Sequence, residues 1–450
     1  MVETSKIAAE FVGTYLLVLT VGCNVLLGSG TWAALSIASV LMVAIYSLGG
    51  ISGAHLNPAV TLALFLSKKV TDVSEVGIYM ATQIVAGIAA GFTYKTLANG
   101  AFALGPGKGF GATEAGIVEA LYTCMLCFVV LNVAATAKNE GNQYYGLAIG
   151  FVIVAGGYAA GGISGGAFNP AVAFGIEASS GAFKGWSFAY LAFEFIGAAL
   201  AAGLYRVVRP EEFTEGAETT LGVKLVSEFI GTFYLVFTVG LNVLGGSPAG
   251  ALSIAASLMC MIYALGSCSG AHFNPAVTLA IMFSGRGKVA DAKEGLSYMA
   301  SQILGGVIAG FVYSFIHGKA FALGPVGSAS WGMASFAEIA YTFVLCYTVL
   351  SVATVAAPLK DLFGLAIGFC VVVGGFAIGG VSGGSLNPAV SFGIDVASAT
   401  KGGHFWPCLA YSATEAVGGA LAAGVFRVTH AAEYEKSSTS KGKAPAYSTF

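Results

Sequence analysis

GGISGAHLNPAVTLALF, residues Gly49–Phe65, is the stretch whose reading settles the fold, because it returns three times. Gly161–Glu177 reads GGISGGAFNPAVAFGIE, Gly266–Met282 reads GSCSGAHFNPAVTLAIM, and Gly379–Asp395 reads GGVSGGSLNPAVSFGID. The first and third copies are most alike, as are the second and fourth. Asn274 follows Asn57 by 217 residues and Asn387 follows Asn169 by 218. The chain is therefore two halves of near-equal length, each with a diverged duplication inside it. Other phrases keep the long period, such as AFALGP at Ala101–Pro106 and at Ala320–Pro325.

The composition says what surrounds these repeats. Of 450 residues, 56% are hydrophobic and 9% charged, with a mean hydropathy of +0.82. A soluble domain carries roughly 25% charged residues. A chain so poor in charge cannot cover a water-facing surface, whereas a lipid bilayer removes that need. The 64 glycines fit closely packed membrane helices. A net charge of −2 argues against nucleic acid as a partner. The eight cysteines sit almost entirely in apolar runs and read as small buried hydrophobes. Cys124 and Cys127 are spaced CxxC, but lie mid-helix in apolar sequence. No metal, cofactor or catalytic group is expected.

Working outward from the four phrases, the first half has apolar runs near 7–27, 32–50, 74–95, 115–136, 144–161 and 186–206. The second has them near 222–244, 249–267, 294–315, 333–355, 362–379 and 404–427. Each is about long enough to span a bilayer. The first begins almost at Met1 with no A-x-A-like cleavage site behind it, so a retained span is expected there rather than a signal peptide. Residues 1–209 form one unit, 210–221 an acidic linker, 222–430 a second unit, and 431–450 a Ser/Thr/Lys-rich tail expected to be disordered. The tail ends Ser448-Thr449-Phe450, a pattern that fits a PDZ-type carboxyl-terminal ligand.

Six spans per unit put both ends of each unit on one side. Lys6, Lys68, Lys69, Lys138, Arg206 and Arg209 fall there, against Lys95, Lys108 and Lys184 opposite. In the second half Lys224, Arg286, Lys288, Lys293, Lys360 and Arg427 stand against Lys319 and Lys401. The excess predicts cytoplasmic termini.

Each Asn-Pro-Ala triplet falls just after a full span and is followed by an apolar run too short to cross, such as Pro58–Leu66. About ten helical residues rise ~15 Å, half of a ~30 Å hydrocarbon core. Proline suits the first helical turn, and asparagine just before it caps. Each triplet thus starts a half-helix. Irregular backbone at mid-membrane depth is tolerated where it lines a cavity. Two opposed half-helices bring two positive ends together there, and each asparagine offers amide donors. A water at that point gives its oxygen to both amides, its hydrogens turn away, and a proton wire is interrupted. That is the physics of a neutral-solute channel.

Each half resembles the major intrinsic protein (aquaporin) family along nearly its whole length. Four triplets carry the likeness: Asn57-Pro58-Ala59, Asn169-Pro170-Ala171, Asn274-Pro275-Ala276 and Asn387-Pro388-Ala389. Ala9-Glu10-Phe11-Val12-Gly13-Thr14, Glu228-Phe229-Ile230-Gly231-Thr232 and Gly197–Arg206 add to it. The resemblance implies an all-α membrane protein of two aquaporin-like right-handed bundles, each with six transmembrane helices and two re-entrant half-helices, twelve transmembrane helices in all. It implies that Glu10, Glu119, Glu228 and Glu338 accept hydrogen bonds from the re-entrant loops. It also implies tetramer-like assembly. The join Arg209–Gly222, about fourteen residues, reaches at most ~45–50 Å, enough for neighbouring units, so a homodimer with four pores is expected. His55 and His272 are expected to brace their loops rather than to gate by pH.

In that family four side chains narrow the pore outside the triplets, one typically an arginine three residues after the second asparagine. Here that position is Val172, and Val390 in the second half. Carried over by spacing, the other three are Ile37, Gly157 and Gly166, then Ile254, Gly375 and Gly384. The expected filter is wide and apolar, passing water and small uncharged solutes. The aspartate common after that arginine in glycerol-conducting members is replaced by Ala173 and Ser391. Glu177 and Asp395 are expected to face solvent at the half-helix ends. Glu194 and Glu415 occupy the positions that Gln83 and Gln302 hold on the third helix of each half, and are expected to replace a structural amide, protonated or bonded to backbone. Twelve spans also suit a secondary transporter, which has no reason to carry four such half-helices. A structural membrane protein that kept the fold and lost conduction is the other alternative, and four intact triplets speak against complete decay.

Overall fold

The computed structural model describes residues 2–28, 30–287, 289 and 291–435. The first half supplies α1 (Thr4–Leu26), α2 (Ala33–Ser52), α3 (Pro58–Leu66), α4 (Val73–Leu97), α5 (Ala112–Ala134), α6 (Tyr145–Ser164), α7 (Pro170–Ser180) and α8 (Trp186–Val208). The second supplies α9 (Leu221–Gly245), α10 (Gly250–Leu265), α11 (Pro275–Ser284), α12 (Ala292–His317), α13 (Trp331–Ala353), α14 (Phe363–Ser382), α15 (Pro388–Ala399) and α16 (Pro407–Thr429). The described residues contain no strand. Among the described residues, eleven helices are long and apolar enough to cross a membrane.

The twelfth, α10, has 16 residues where its counterpart α2 has 20. The shortening has a cause outside the helix. Arg209, on the linker, donates from Nη2 to the Ala264 carbonyl at 2.8 Å and to Ser267 Oγ at 2.9 Å. With that carbonyl engaged, the Cys268 N–H bonds to Leu265 O instead. The last turn of α10 tightens before the re-entrant loop begins.

The short helices α3, α7, α11 and α15 begin alike. Each asparagine before the proline is extended, and its side-chain oxygen accepts the N–H of the alanine two residues on, at 2.8–2.9 Å. Proline at the first helical position has no N–H to leave unpaired. Helices pack closely around them. A Cβ on Gly87 of α4 would lie 2.2 Å from the Ala171 carbonyl on α7, and one on Gly306 of α12 would lie 2.3 Å from that of Ala389 on α15. Small residues allow backbones in lipid to approach to this distance.

The two halves are packed side by side, α5 and α6 of the first against α9 and α10 of the second. Tyr122 Oη and Thr238 Oγ1 are 3.0 Å apart. Ser253 Oγ donates to Ala155 O at 2.7 Å, and Tyr144 stacks on Tyr263 with ring centroids 4.2 Å apart. At one end of this seam lies Arg209, with no exposed surface. Besides its α10 partners it donates from Nε to Asn132 Oδ1 on α5 at 2.8 Å, and Nη1 stands 3.7 Å from Glu211. The linker is thereby part of the interface rather than a tether.

Of the expected disordered tail, Ala431–Glu433 forms a 3-10 turn, and Tyr434 Oη donates to Ser284 O at 2.8 Å. These residues are ordered because the turn has partners on the bundle. Residues 436–450, with the Ser448–Phe450 terminus, lie outside the described residues, as does Lys288.

Replacing Arg209 by alanine leaves Asn132 Oδ1 and the Ala264 carbonyl without a donor. Hydrogen bonds to charged groups contribute about 1.5–3 kcal/mol. Arg209→Ala is expected to lower the melting midpoint of the purified chain by several degrees, with Arg209→Lys recovering part, as read by a thermal scan in mild detergent. Arg206→Ala, at an exposed residue over the Phe213 ring, serves as the control with little change.

Candidate functional site

Each half encloses a cavity where its two half-helices meet. The first, of about 970 Å³, is lined by Asn57, Asn169 and His55 among mostly aliphatic side chains from α1, α2, α5 and α6. The second, of about 480 Å³, is lined by Asn274, Asn387 and His272 in the same setting. Ile37, Gly157, Gly166 and Val172 all line the first cavity, and Ile254, Gly375, Gly384 and Val390 the second.

The asparagines do three things at once. Oδ1 caps the asparagine's own half-helix. One amide hydrogen goes across to the other loop: Asn57 Nδ2 donates to Phe168 O at 2.8 Å and Asn169 Nδ2 to Leu56 O at 2.9 Å. Asn274 and Asn387 repeat this with Leu386 O and Phe273 O. An amide nitrogen has two N–H donors, so the second is offered to the cavity. The residues whose carbonyls accept these bonds are left-handed: Leu56 at φ 53, Phe168 at φ 49, Phe273 at φ 51 and Leu386 at φ 57. Non-glycine residues adopt that conformation at a cost of order 1–3 kcal/mol.

Buried carboxylates hold that geometry. Glu10 on α1 accepts from Ser52 Oγ at 2.6 Å, His55 N at 3.0 Å, Leu56 N at 2.8 Å and Gln83 Nε2 at 2.7 Å. Glu228 on α9 does the same with Ser269 Oγ, His272 N, Phe273 N and Gln302 Nε2. Glu119 on α5 accepts from Ser164 Oγ, Ala167 N and Phe168 N, and Glu338 on α13 from Ser382 Oγ, Ser385 N and Leu386 N. His55 Nδ1 lies 3.1 Å from Thr61 Oγ1, and His272 Nδ1 is as far from Thr278 Oγ1. Both rings span their own half-helix starts.

Some of the site lay beyond the sequence reading. Ser52, Ser164, Ser269 and Ser382 each stand five residues before a triplet asparagine. Each feeds its hydroxyl to the carboxylate, and the fourfold repeat carried that signal. Tyr79, Tyr190, Tyr298 and Tyr411 donate to the carbonyls of the same four serines. On the terminal face, Glu212 of the linker accepts from Lys69 Nζ at 2.5 Å and from Ala137 N at 2.9 Å. Burial alone would lower the Lys69 amine, but the bond to Glu212 overrides it and the net displacement is upward. The second half has Arg286 on Glu433, with Glu433 also taking Ala356 N.

Two expectations need correction. Glu177 and Asp395 do not face solvent: they are 3% and 0% exposed. Glu177 accepts the N–H groups of Lys184, Trp186 and Ser187, capping α8, and Asp395 accepts Leu323 N. The short loop after α7 folds back over Glu177, and the loop after α12 reaches Asp395; spacing alone showed neither. Gly157 and Gly375 do not simply leave space. A Cβ on Gly157 would lie 2.9 Å from Ala34 Cβ, and one on Gly375 2.7 Å from Ala251 Cβ. The glycines let the fifth long helix of each unit close against the second. Gly166, by contrast, needs glycine for its backbone, at φ 67.

An amide in place of Glu10 offers one acceptor oxygen instead of two and turns an NH2 toward N–H donors. Glu10→Gln and Glu228→Gln are each expected to destabilise the chain, at about 1–3 kcal/mol per orphaned donor. A lowered melting midpoint for both, compared with an exposed control such as Glu3→Gln, is the check.

Against known proteins, the family model described as major intrinsic protein matches residues 2–205, 144–241 and 215–426. Aquaporin NIP1-3 of Oryza sativa subsp. japonica is 34% identical over 218 residues, 46% of this chain and 74% of that protein. Glycerol uptake facilitator protein-like 6 of Lactiplantibacillus plantarum is 34% identical over 215 residues, covering 46% of this chain and 97% of its own length. The probable aquaporin TIP2-1 of Oryza sativa subsp. japonica is 36% identical over 219 residues, 45% and 85% of the two chains. Among solved structures, the aquaglyceroporin from Plasmodium falciparum is similar at 22% identity and a TM-score of 0.40, over 46% of this chain and 96% of that one.

Proposed function

The chain belongs to the major intrinsic protein family, and we propose that it carries two parallel passive pores, one per half, each for water and small uncharged solutes through an arginine-free filter. Channel activity toward water and small solutes is the common ground of its relatives, which bear the names aquaporin and glycerol uptake facilitator. The observation that carries the finer reading is the lining of the cavities. In both halves Val172 or Val390 stands where relatives of this kind place arginine. An arginine fills space, donates hydrogen bonds and repels cations by its fixed charge; valine does none of these. The helix ends at α3 and α7, and at α11 and α15, keep a positive potential at the centre, so ion current stays small. Closure of α6 on α2 at Gly157 takes back part of the width. The remaining width lies at Gly166 and Val172, and at Gly384 and Val390. Urea, ammonia, hydrogen peroxide and glycerol are the solutes this lining admits.

Stopped-flow measurements on vesicles with water, urea and glycerol gradients test this. The wild-type chain passes water and the solutes. Val172→Arg with Val390→Arg cuts solute flux more than water flux, and each substitution alone removes only part of the permeability. Free passage of water with exclusion of all the larger solutes refutes the wide filter. Loss of everything through one substitution refutes the two-pore reading.

The same packing supports a homodimer. Inside the chain, α5 and α6 seat on α9 and α10. The corresponding faces, α1 and α2 of the first unit and α13 and α14 of the second, carry exposed apolar side chains such as Val43, Leu16, Phe336 and Phe376. Two chains joined through those faces close a ring of four pores, with termini on the cytoplasmic side. Native mass measurement in mild detergent is expected to give two chains per particle. A stable monomer or four chains in one particle counts against it.

A further inference from the structure

Within each unit the two halves obey one hydrogen-bonding scheme, and one member of it is out of place. Tyr79 and Tyr190 donate to Ser52 O and Ser164 O. Four residues beyond each tyrosine stands Gln83 in one case and Glu194 in the other. Gln83 gives Glu10 its fourth donor, through Nε2 to Oε2 at 2.7 Å. Glu119 has three donors, and the fourth position belongs to Glu194. The second unit repeats the pattern: Gln302 donates to Glu228 at 2.8 Å, and Glu415 stands where the donor to Glu338 is missing.

Glu194 is fully buried. Its Oε1 accepts the Asn169 N–H at 2.9 Å, and its Oε2 has no donor. Glu415 Oε1 accepts Asn387 N at 2.9 Å and Ser391 Oγ at 3.1 Å, and its Oε2 is likewise without a donor. Neither makes an ion pair with any described lysine or arginine. Glu119 acts on Glu194, and Glu338 on Glu415, as like-charged neighbours. Two buried carboxylates that act on each other through a dry site resist both being ionised, and an orphaned buried oxygen is costly. One proton per pair resolves both problems.

We propose that Glu194 and Glu415 are carboxylic acids whose protonated oxygen donates to Glu119 and Glu338, doing for the second half-helix of each unit what Gln83 and Gln302 do for the first. They are positioning residues beside the pore, outside its lining. The proton also matters for exclusion. Glu194 accepts the N–H of Asn169, the residue that caps α7, and an anion there would cancel the positive helix end that repels cations. The neutral acid holds the loop and leaves that potential in place.

Infrared spectra of the full-length chain in vesicles, compared with Glu194→Gln/Glu415→Gln, test the protonation directly. The expected result is a protonated-carboxyl carbonyl band in wild type that weakens in the variant. Wild type without such a band, or with one unchanged by the substitutions, overturns the proposal, and this arm does not depend on what the channel carries. The second arm rests on the channel reading. Water permeability and cation leak of the glutamine variant stay within about twofold of wild type, since an amide supplies the same donor, whereas Glu194→Met/Glu415→Met, with no donor, loses permeability severalfold. A glutamine variant with lower cation leak than wild type overturns the proposal, because it means that an anion was present.

Discussion

A chain that turns back halfway across a bilayer must satisfy its backbone without water, and the bond between a buried carboxylate and the re-entrant loop meets that demand. Glu10, Glu119, Glu228 and Glu338 each collect two consecutive loop N–H groups and a serine hydroxyl. Those bonds fix Leu56, Phe168, Phe273 and Leu386 in the left-handed region. That conformation in turn aims their carbonyls at the asparagine of the opposite loop. Remove the carboxylate and the loop has no partner in lipid, the asparagines lose their acceptors, and the amide hydrogens no longer converge on the cavity. Charge costs a great deal at this depth. Multiple donors around each carboxylate offset that cost.

The duplication is close but not complete, and the differences are physical. The inner pseudo-symmetry of each unit pairs an amide with a carboxylate on one side and a carboxyl with a carboxylate on the other. The outer duplication keeps this asymmetry in both halves, Gln83 with Glu194 and Gln302 with Glu415. The join is where the halves diverge most. Arg209 ties α5 to α10, and Glu212 three residues on ties Lys69 to Ala137 at the mouth of the first cavity. At the end of the second half the sequence has His430 where the first has Arg209, while Glu433 retains the mouth contact through Arg286. A buried arginine is thus found at the seam inside the chain. The corresponding end of α16 has a histidine stacked on Phe426 instead.

Sequence alone carried the architecture a long way because its signals were local or repeated. Proline after asparagine before a short apolar run specifies a capped half-helix through nearest-neighbour chemistry, and apolar run length specifies spans through bilayer thickness. The glutamates of the first and fourth helices came through family resemblance. The shortening of α10 was not legible, since it depends on a guanidinium from residue 209 taking the carbonyl of residue 264. Nor was the burial of Glu177, which depends on the path of the following loop, or of Asp395, which depends on the loop after α12.

Periodicity, repeat spacing and the four triplets therefore determined by themselves that this is a twice-duplicated helical membrane protein whose half-helices meet at mid-membrane, because each of those features follows from residues within a turn or two of one another. Only the tertiary structure decided where α6 and α14 close on their neighbours, what the linker holds, and what surrounds Glu194 and Glu415. Those quantities are distances between residues far apart in the chain. Gly157 illustrates the point: read along the sequence it is a missing side chain, and in space it is the place where α6 meets Ala34 of α2.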